Sequence, residues 1–213
     1  HPSWHPRAPR TLGEMTPPLV LACGALAREL RAVLEVDDLT DSVEVDYLPA
    51  PLHNRPEGIV PAIEERLRDE PLDRSVLLGY ADCGTGGLLD AWIDSTPRDV
   101  RRLPGAHCYA FLSGVDDFDE LHSAELGTFF LTDFLARHFD ALVWAGLGLD
   151  RHPELRDMYA YTRVVLLTQG DEAEVREAAE SAAHRLGLPL EIIVTGREHL
   201  REAVSVGLSG AGV

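Results

Sequence analysis

Three cysteines are the residues in this 213-residue chain best suited to chemistry. Cys23 closes the apolar run Leu-Val-Leu-Ala-Cys, Cys83 lies in Tyr-Ala-Asp-Cys-Gly-Thr-Gly-Gly, and Cys108 follows His107. Each falls where a predicted strand runs out, beside a glycine or a histidine. Three thiolates at one sheet edge could hold a metal ion. Zinc takes cysteine sulfur at about 2.3 Å, and three protein ligands leave a fourth position open. Cysteines also hold iron–sulfur clusters, and a [4Fe–4S] cluster on three of them would leave one iron free for substrate. Two other readings stay open. One cysteine is a nucleophile, or all three are small buried hydrophobes. No C-x-x-C spacing supports the metal reading. Packing alone, however, would as readily place cysteines mid-strand or on helices.

Polar residues gather around the same motifs. His53, in His-Asn-Arg-Pro-Glu, is the better fourth metal ligand. His107 is the poorer, because adjacent residues of an extended segment point to opposite sides; it joins the catalytic candidates. Asn54 and Arg55 are candidate substrate contacts. Arg55 could clamp a carboxylate or phosphate bidentately, or pair with Glu57. The Gly84, Thr85 and Gly86 amides could form a nest for a substrate carboxylate, or merely make a tight turn that needs glycine. Asp150 and His152, in a loop after a long apolar stretch, could act as a proton-transfer pair; a plain turn with a capping aspartate is the alternative. Glu29 is either a solvated helix residue or a neighbour of the site. His122, His138, His184 and His199 read as surface residues, and Phe129 and Phe130 as core rather than as a lid. Neither G-x-x-x-x-G-K-[ST] nor G-x-G-x-x-G occurs, and the chain has no lysine. No nucleotide cofactor is expected.

The elements that must position these residues alternate between strand and helix. Leu19–Cys23, Val43–Leu52, Ser75–Cys83, a weaker segment ending near Cys108, Thr162–Thr168 and Leu190–Gly196 read as strands. Helical spacing fills the intervals, including an unbroken helix over Phe129–Gly146 and one closed by Gly187. Such alternation implies βαβ units. The expected fold is a single-domain α/β structure over 16–213, a mainly parallel sheet with helices on both faces, Rossmann-like or flavodoxin-like. Ligands in such folds bind at the carboxyl ends of the strands, the edge to which all three cysteines are assigned.

Composition narrows the partners. A formal net charge of −17 argues against nucleic acid and against an anionic membrane surface. No apolar run approaches the roughly 20 residues of a membrane span. Three separated cysteines make no even disulfide framework, so the chain reads as cytoplasmic. Residues 1–15 read as an extension or an expression remnant; His1 and His5 as a metal-binding tail are the opposing reading. The apolar circumference of the Phe129–Gly146 helix exceeds what one sheet face requires, which suggests a homodimer.

The segments Ala-Cys-Gly-Ala-Leu-Ala-Arg-Glu-Leu, Leu-Pro-Ala-Pro-Leu-His-Asn-Arg-Pro-Glu, Tyr-Ala-Asp-Cys-Gly-Thr-Gly-Gly, His-Cys-Tyr-Ala-Phe-Leu-Ser-Gly and Gly-Leu-Gly-Leu-Asp-Arg-His-Pro-Glu-Leu together resemble the domain-of-unknown-function family 1638. The resemblance runs from about Leu19 to the last strand. It carries over Cys23, His53, Cys83, His107 and Cys108, but neither a metal identity nor an activity. It also implies a corrinoid methyl-transfer partner, because some members lie near genes of that chemistry. The functional expectation is a metal-dependent enzyme, a transferase or lyase acting on a small anionic molecule by one-carbon or sulfur transfer, with zinc slightly ahead of a [4Fe–4S] cluster. A non-catalytic metal or corrinoid handler and a metal-free cysteine enzyme are the alternatives.

Overall fold

The computed structural model describes residues 16–209; the expected extension and the His1/His5 tail lie outside them. Among the described residues, seven strands are interspersed with eight α-helices. They are β1 (Leu19–Cys23), α1 (Ala27–Val36), β2 (Glu44–Leu48), α2 (Ile59–Leu67), β3 (Val76–Gly79), α3 (Leu88–Ser95), β4 (Val100–Arg102), α4 (Cys108–Ser113), α5 (Val115–Ala124), β5 (Thr128–Thr132), α6 (Asp133–Arg137), β6 (Arg163–Thr168), α7 (Ala173–Leu186), β7 (Leu190–Val194) and α8 (Glu198–Ser209).

All strand pairs are parallel, as the alternation implies, but the strands form two sheets instead of one. Their orders are β2-β1-β3-β4 and β5-β6-β7. The break has a physical cause. Between β4 and β5 the chain runs through α4 and α5, and α4 packs on residues of both sheets. Ala110 of α4 and Phe118 of α5 pack on Phe130, Val165 and Leu167 of the second sheet. Phe111 and Leu112 of α4 pack on Val20 and Leu77 of the first. Helix α4, which begins at Cys108, is therefore a wedge between the sheets.

The central strands β1, β3 and β6 are covered on both faces and read as nearly unbroken apolar runs. In the first sheet Val20, Ala22 and Leu77 face α1, α4 and α8, while Leu19, Leu21, Val76 and Leu78 face α2 and α3. In the second, Leu131, Val164 and Leu166 face α6 and α7. Helix α8 follows the last strand of the second sheet yet buries Leu200, Val204 and Leu208 against the first. It ties the two halves together.

The expected helix over Phe129–Gly146 is three elements. Thr128–Thr132 is β5, with Phe129 opposite Val164 of β6. A short apolar run fits a buried strand as well as a helix by periodicity alone. Thr132 then caps α6, its hydroxyl accepting the Leu135 amide at 3.3 Å, and a π-helical turn covers Phe139–Trp144. Phe130, Leu131, Leu135, Ala136, Phe139 and Val143 are all buried within the chain. The apolar circumference thus has an internal explanation, and the reason given for a homodimer no longer holds. No helix among the described residues is long and apolar enough to cross a membrane.

Candidate metal centre

The first sheet reverses its winding between β1 and β3, and the carboxyl ends of those two strands are where such folds open a crevice. Cys23 is the last residue of β1. Tyr80 and Cys83 follow the end of β3. Cys108 does not end a strand, as expected, but opens α4, beyond the end of β4. All three cysteines nevertheless line one cavity, together with His53, Glu29 and Tyr80. The sheet edge brings two of them there, and the wedge helix brings the third.

Cys83 sits at a strained bend. Its φ of 51° is left-handed, a conformation costing an L-residue about 1–2 kcal/mol. Backbone bonds hold it there: the Cys83 amide donates to the Ala106 carbonyl at 2.8 Å, and that of Asp82 to Gly105 at 3.2 Å. They dock the cysteine bend onto the loop that leads into Cys108. Such strain at a cleft is a pointer to a site.

The thiols are electrostatically coupled. Burial pushes the Cys23 and Cys108 thiols up, and Cys83 up to about 11. The second contribution at Cys108 is the charge of Cys83 and Cys23. Backbone groups oppose this: Ala25 beside Cys23, Ala81 and Cys108 beside Cys83, and Tyr109 beside Cys108. His53 lines the same cavity but is not among the groups that act on the three sulfurs. Burial, and then the charge of His107, lower His53. It is held as neutral imidazole, the form that ligates metals.

The cavity has a second wall. Thr132 and Phe134, at the carboxyl end of β5, and Gln169, at the end of β6, face it from the second sheet. Glu29 of α1 is 4% exposed and is raised by burial first, with the charge of Asp133 adding to the effect. Asp133 is itself buried, and its Oδ1 has no hydrogen-bond partner. One wall is thus sulfur and imidazole, the other carboxyl, hydroxyl and amide. The enclosed space is about 30 Å³, room for an ion and about one water-sized ligand. Among the described residues, no three cysteine, histidine, aspartate or glutamate side chains are gathered at the spacing of a metal-ligand set. A bound ion would have to draw the thiols inward.

Several expected site residues lie elsewhere. Gly84, Thr85 and Gly86 form the bend, but the Thr85 and Gly86 amides are engaged by Asp82. Asp82 accepts the Gly86 amide at 3.1 Å, the Gly87 amide at 2.8 Å and the Thr85 hydroxyl at 2.6 Å. The nest holds the chain's own carboxylate, not a substrate's. Asn54 is exposed, and its side chain donates to the Leu142 carbonyl at 2.8 Å. It fastens the His53 loop to the second half. Arg55 is exposed and does not line the cavity. His107 is exposed beside Cys108 and senses Asp82 and His122. Asp150 and His152 are exposed, and each meets a sequence neighbour. Asp150 pairs with Arg151 at 3.7 Å and His152 with Glu154 at 3.2 Å. They do not face the thiols and do not form a pair with each other. His122, His138 and His184 are exposed, as expected, and His199 is half-buried.

The second wall was missed because Thr132 and Phe134 were read into one long helix. Gln169 carried a usable signal: a polar residue closing an apolar strand ahead of a glycine, the pattern that singled out the cysteines. Tyr80 stands at a strand end three residues before Cys83.

A family model described as a protein of unknown function (DUF1638) matches residues 47–204. The span takes in His53, Cys83 and Cys108 and stops short of Cys23. No curated protein matches the chain. Among solved structures, a proline iminopeptidase-related protein from Thermus thermophilus is similar at 15% identity, with a TM-score of 0.32, over 94% of this chain and 91% of that chain. That likeness carries no argument about activity.

Proposed function

This chain belongs to the DUF1638 family, and for it we propose a metal-dependent enzyme whose centre is the thiol cavity. Cys23, Cys83 and Cys108 hold one soft ion, and His53 is the nitrogen nearest to hand. The observation that carries this is the convergence of every cysteine in the chain on one buried cavity, with a histidine kept neutral beside them. A cation there removes the mutual repulsion of the three sulfurs and offsets their desolvation. The nucleophile reading fares worse, because burial raises all three thiols and disfavours the thiolate.

Zinc stands ahead of a [4Fe–4S] cluster. A cavity of about 30 Å³ suits one ion better than a cube of eight atoms. Zinc would supply a Lewis acid with a position for a small thiol or anion, the chemistry of one-carbon or sulfur transfer. The ion, not Arg55, is then the positive charge toward which an anion is drawn. Glu29, Thr132 and Gln169, across from the sulfurs, are the side from which a substrate would be oriented and a proton exchanged. A corrinoid methyl-transfer partner is compatible with this chemistry; it rests on the family resemblance alone.

The narrowness of the cavity favours a second reading, a metal-handling protein without a bound organic substrate. The test is elemental analysis of native protein and the Cys83→Ser variant, purified without oxygen or added chelator. Stoichiometric zinc in the native protein alone supports the centre. Brown protein with visible-blue absorbance supports a cluster, and no metal in the native protein removes both. A chelator then separates the two uses: a handler releases its metal within minutes, an enzyme retains it.

A further inference from the structure

Tyr80 is 2% exposed, lines the thiol cavity, and its hydroxyl has no hydrogen-bond partner. The Cys23 thiol interacts with it without completing hydrogen-bond geometry. The register explains the juxtaposition. Ala22 pairs with Gly79 across β1 and β3; Cys23 ends β1 one residue on, and Tyr80 is the first residue beyond β3. A buried hydroxyl with no partner is costly, and phenylalanine would fill the same space without that cost. A protonated thiol is a weak acceptor; a metal-bound sulfur carries negative charge and accepts well.

We infer that Tyr80 is a positioning residue of the metal centre, its O–H donating to the Cys23 sulfur when that sulfur is a ligand. The inference rests on the reading of the cavity as a metal site. The hydrogen bond fixes the direction of the Cys23 side chain and withdraws charge from the sulfur. It belongs to the class of contacts around metal ligands whose loss lowers affinity by about 10- to 100-fold.

Cobalt(II) is the probe, added to metal-free native protein and to the Tyr80→Phe variant. The variant should bind cobalt about 10- to 100-fold more weakly. Its sulfur-to-cobalt charge-transfer band should move to longer wavelength, because a sulfur that loses a hydrogen bond gives up electron density more easily. The metal-free variant should melt at the native temperature or above it, having lost an unpaired hydroxyl. In a Cys23→Ser background, Tyr80→Phe should change affinity no further. Equal affinity with an unmoved band, or an equal loss of affinity in the Cys23→Ser background, overturns the inference and leaves the metal site standing. Native protein that binds no cobalt overturns the metal site and the inference with it.

Discussion

The Asp82 carboxylate accepts the Gly87 amide at 2.8 Å across the bend that carries Cys83. With the Gly86 amide and the Thr85 hydroxyl it closes the turn from within, so the fold spends this carboxylate on holding a strained cysteine in place. Burial raises the Asp82 carboxyl, but the hydrogen bonds from Thr85, Gly87 and Gly86 outweigh it and leave the group below its ordinary range. A lowered folded value contributes stability that is present above the unfolded value of about 3.9 and is lost as pH falls through the folded one. Asp82→Ala should cost about 1–2 kcal/mol at neutral pH, and less in acid, as read from urea midpoints. An unchanged midpoint would show that solvent serves these amides equally well.

Gly79 is where β1 and β3 approach most closely at the cavity floor. A Cβ there would lie 2.4 Å from the Ala22 Cβ and 2.9 Å from its Cα, inside van der Waals contact. Neither strand can give way, since both are buried on both faces. Gly79→Ala should destabilise by about 1–3 kcal/mol or more and displace Tyr80 from Cys23. Thermal unfolding of the metal-free protein measures the first effect. A native melting temperature would mean that the two strands are more loosely paired than their register implies.

How far the sequence disclosed this arrangement depends on the element. The strands β1, β3, β6 and β7 were legible because each is a short apolar run between turn residues, and Gly187 ended α7 as a left-handed cap (φ 71°). β5 was not. Phe129-Phe130-Leu131 satisfies helical and buried-strand patterns alike, and only its pairing with β6 decides. The division into two sheets was equally hidden, because nothing local to α4 and α5 says that they lie between sheets. On the site, the cysteines and His53 were found from their places at strand ends. Asp150 and His152, singled out for their loop after an apolar stretch, belong to a surface turn. Distinguishing a site from a surface turn needs the tertiary position of the loop, which residue type does not encode.

The cavity thiols should be sluggish when metal-free. Burial, aided by the charge of Cys23, holds Cys83 up to about 11, so almost none of it is thiolate at pH 7. Iodoacetamide should alkylate the folded, metal-free protein more slowly than it alkylates free cysteine. A folded value raised above the unfolded value of about 8.5 gives stability that is present below that value and is lost as pH rises toward about 11. Urea midpoints should therefore fall over this interval, and less steeply in Cys83→Ala. One thiol that reacts rapidly at pH 7 would restore the nucleophile reading.

Glu29 supplies the last prediction, because its burial has a sign that can be checked. It is 4% exposed, on a helix face turned toward the cavity. Desolvation raises its carboxyl, its own backbone amide lowers it, the Asp133 charge raises it again, and Arg28 and Arg137 lower it. The raised folded value means that the native state holds this proton more tightly than the unfolded chain does. Its contribution is greatest below the unfolded value of about 4.3 and declines as pH rises through the folded one. The ionised form of Glu29 is therefore a burden on the metal-free protein. Glu29→Gln keeps the shape and removes the charge, and should stabilise the protein by about 1–2 kcal/mol at pH 7 to 8. The advantage should shrink toward pH 4, where the native carboxyl is neutral as well. Urea midpoints of both proteins across that range give the difference directly. A difference that does not vary with pH would show that Glu29 does not titrate within the range.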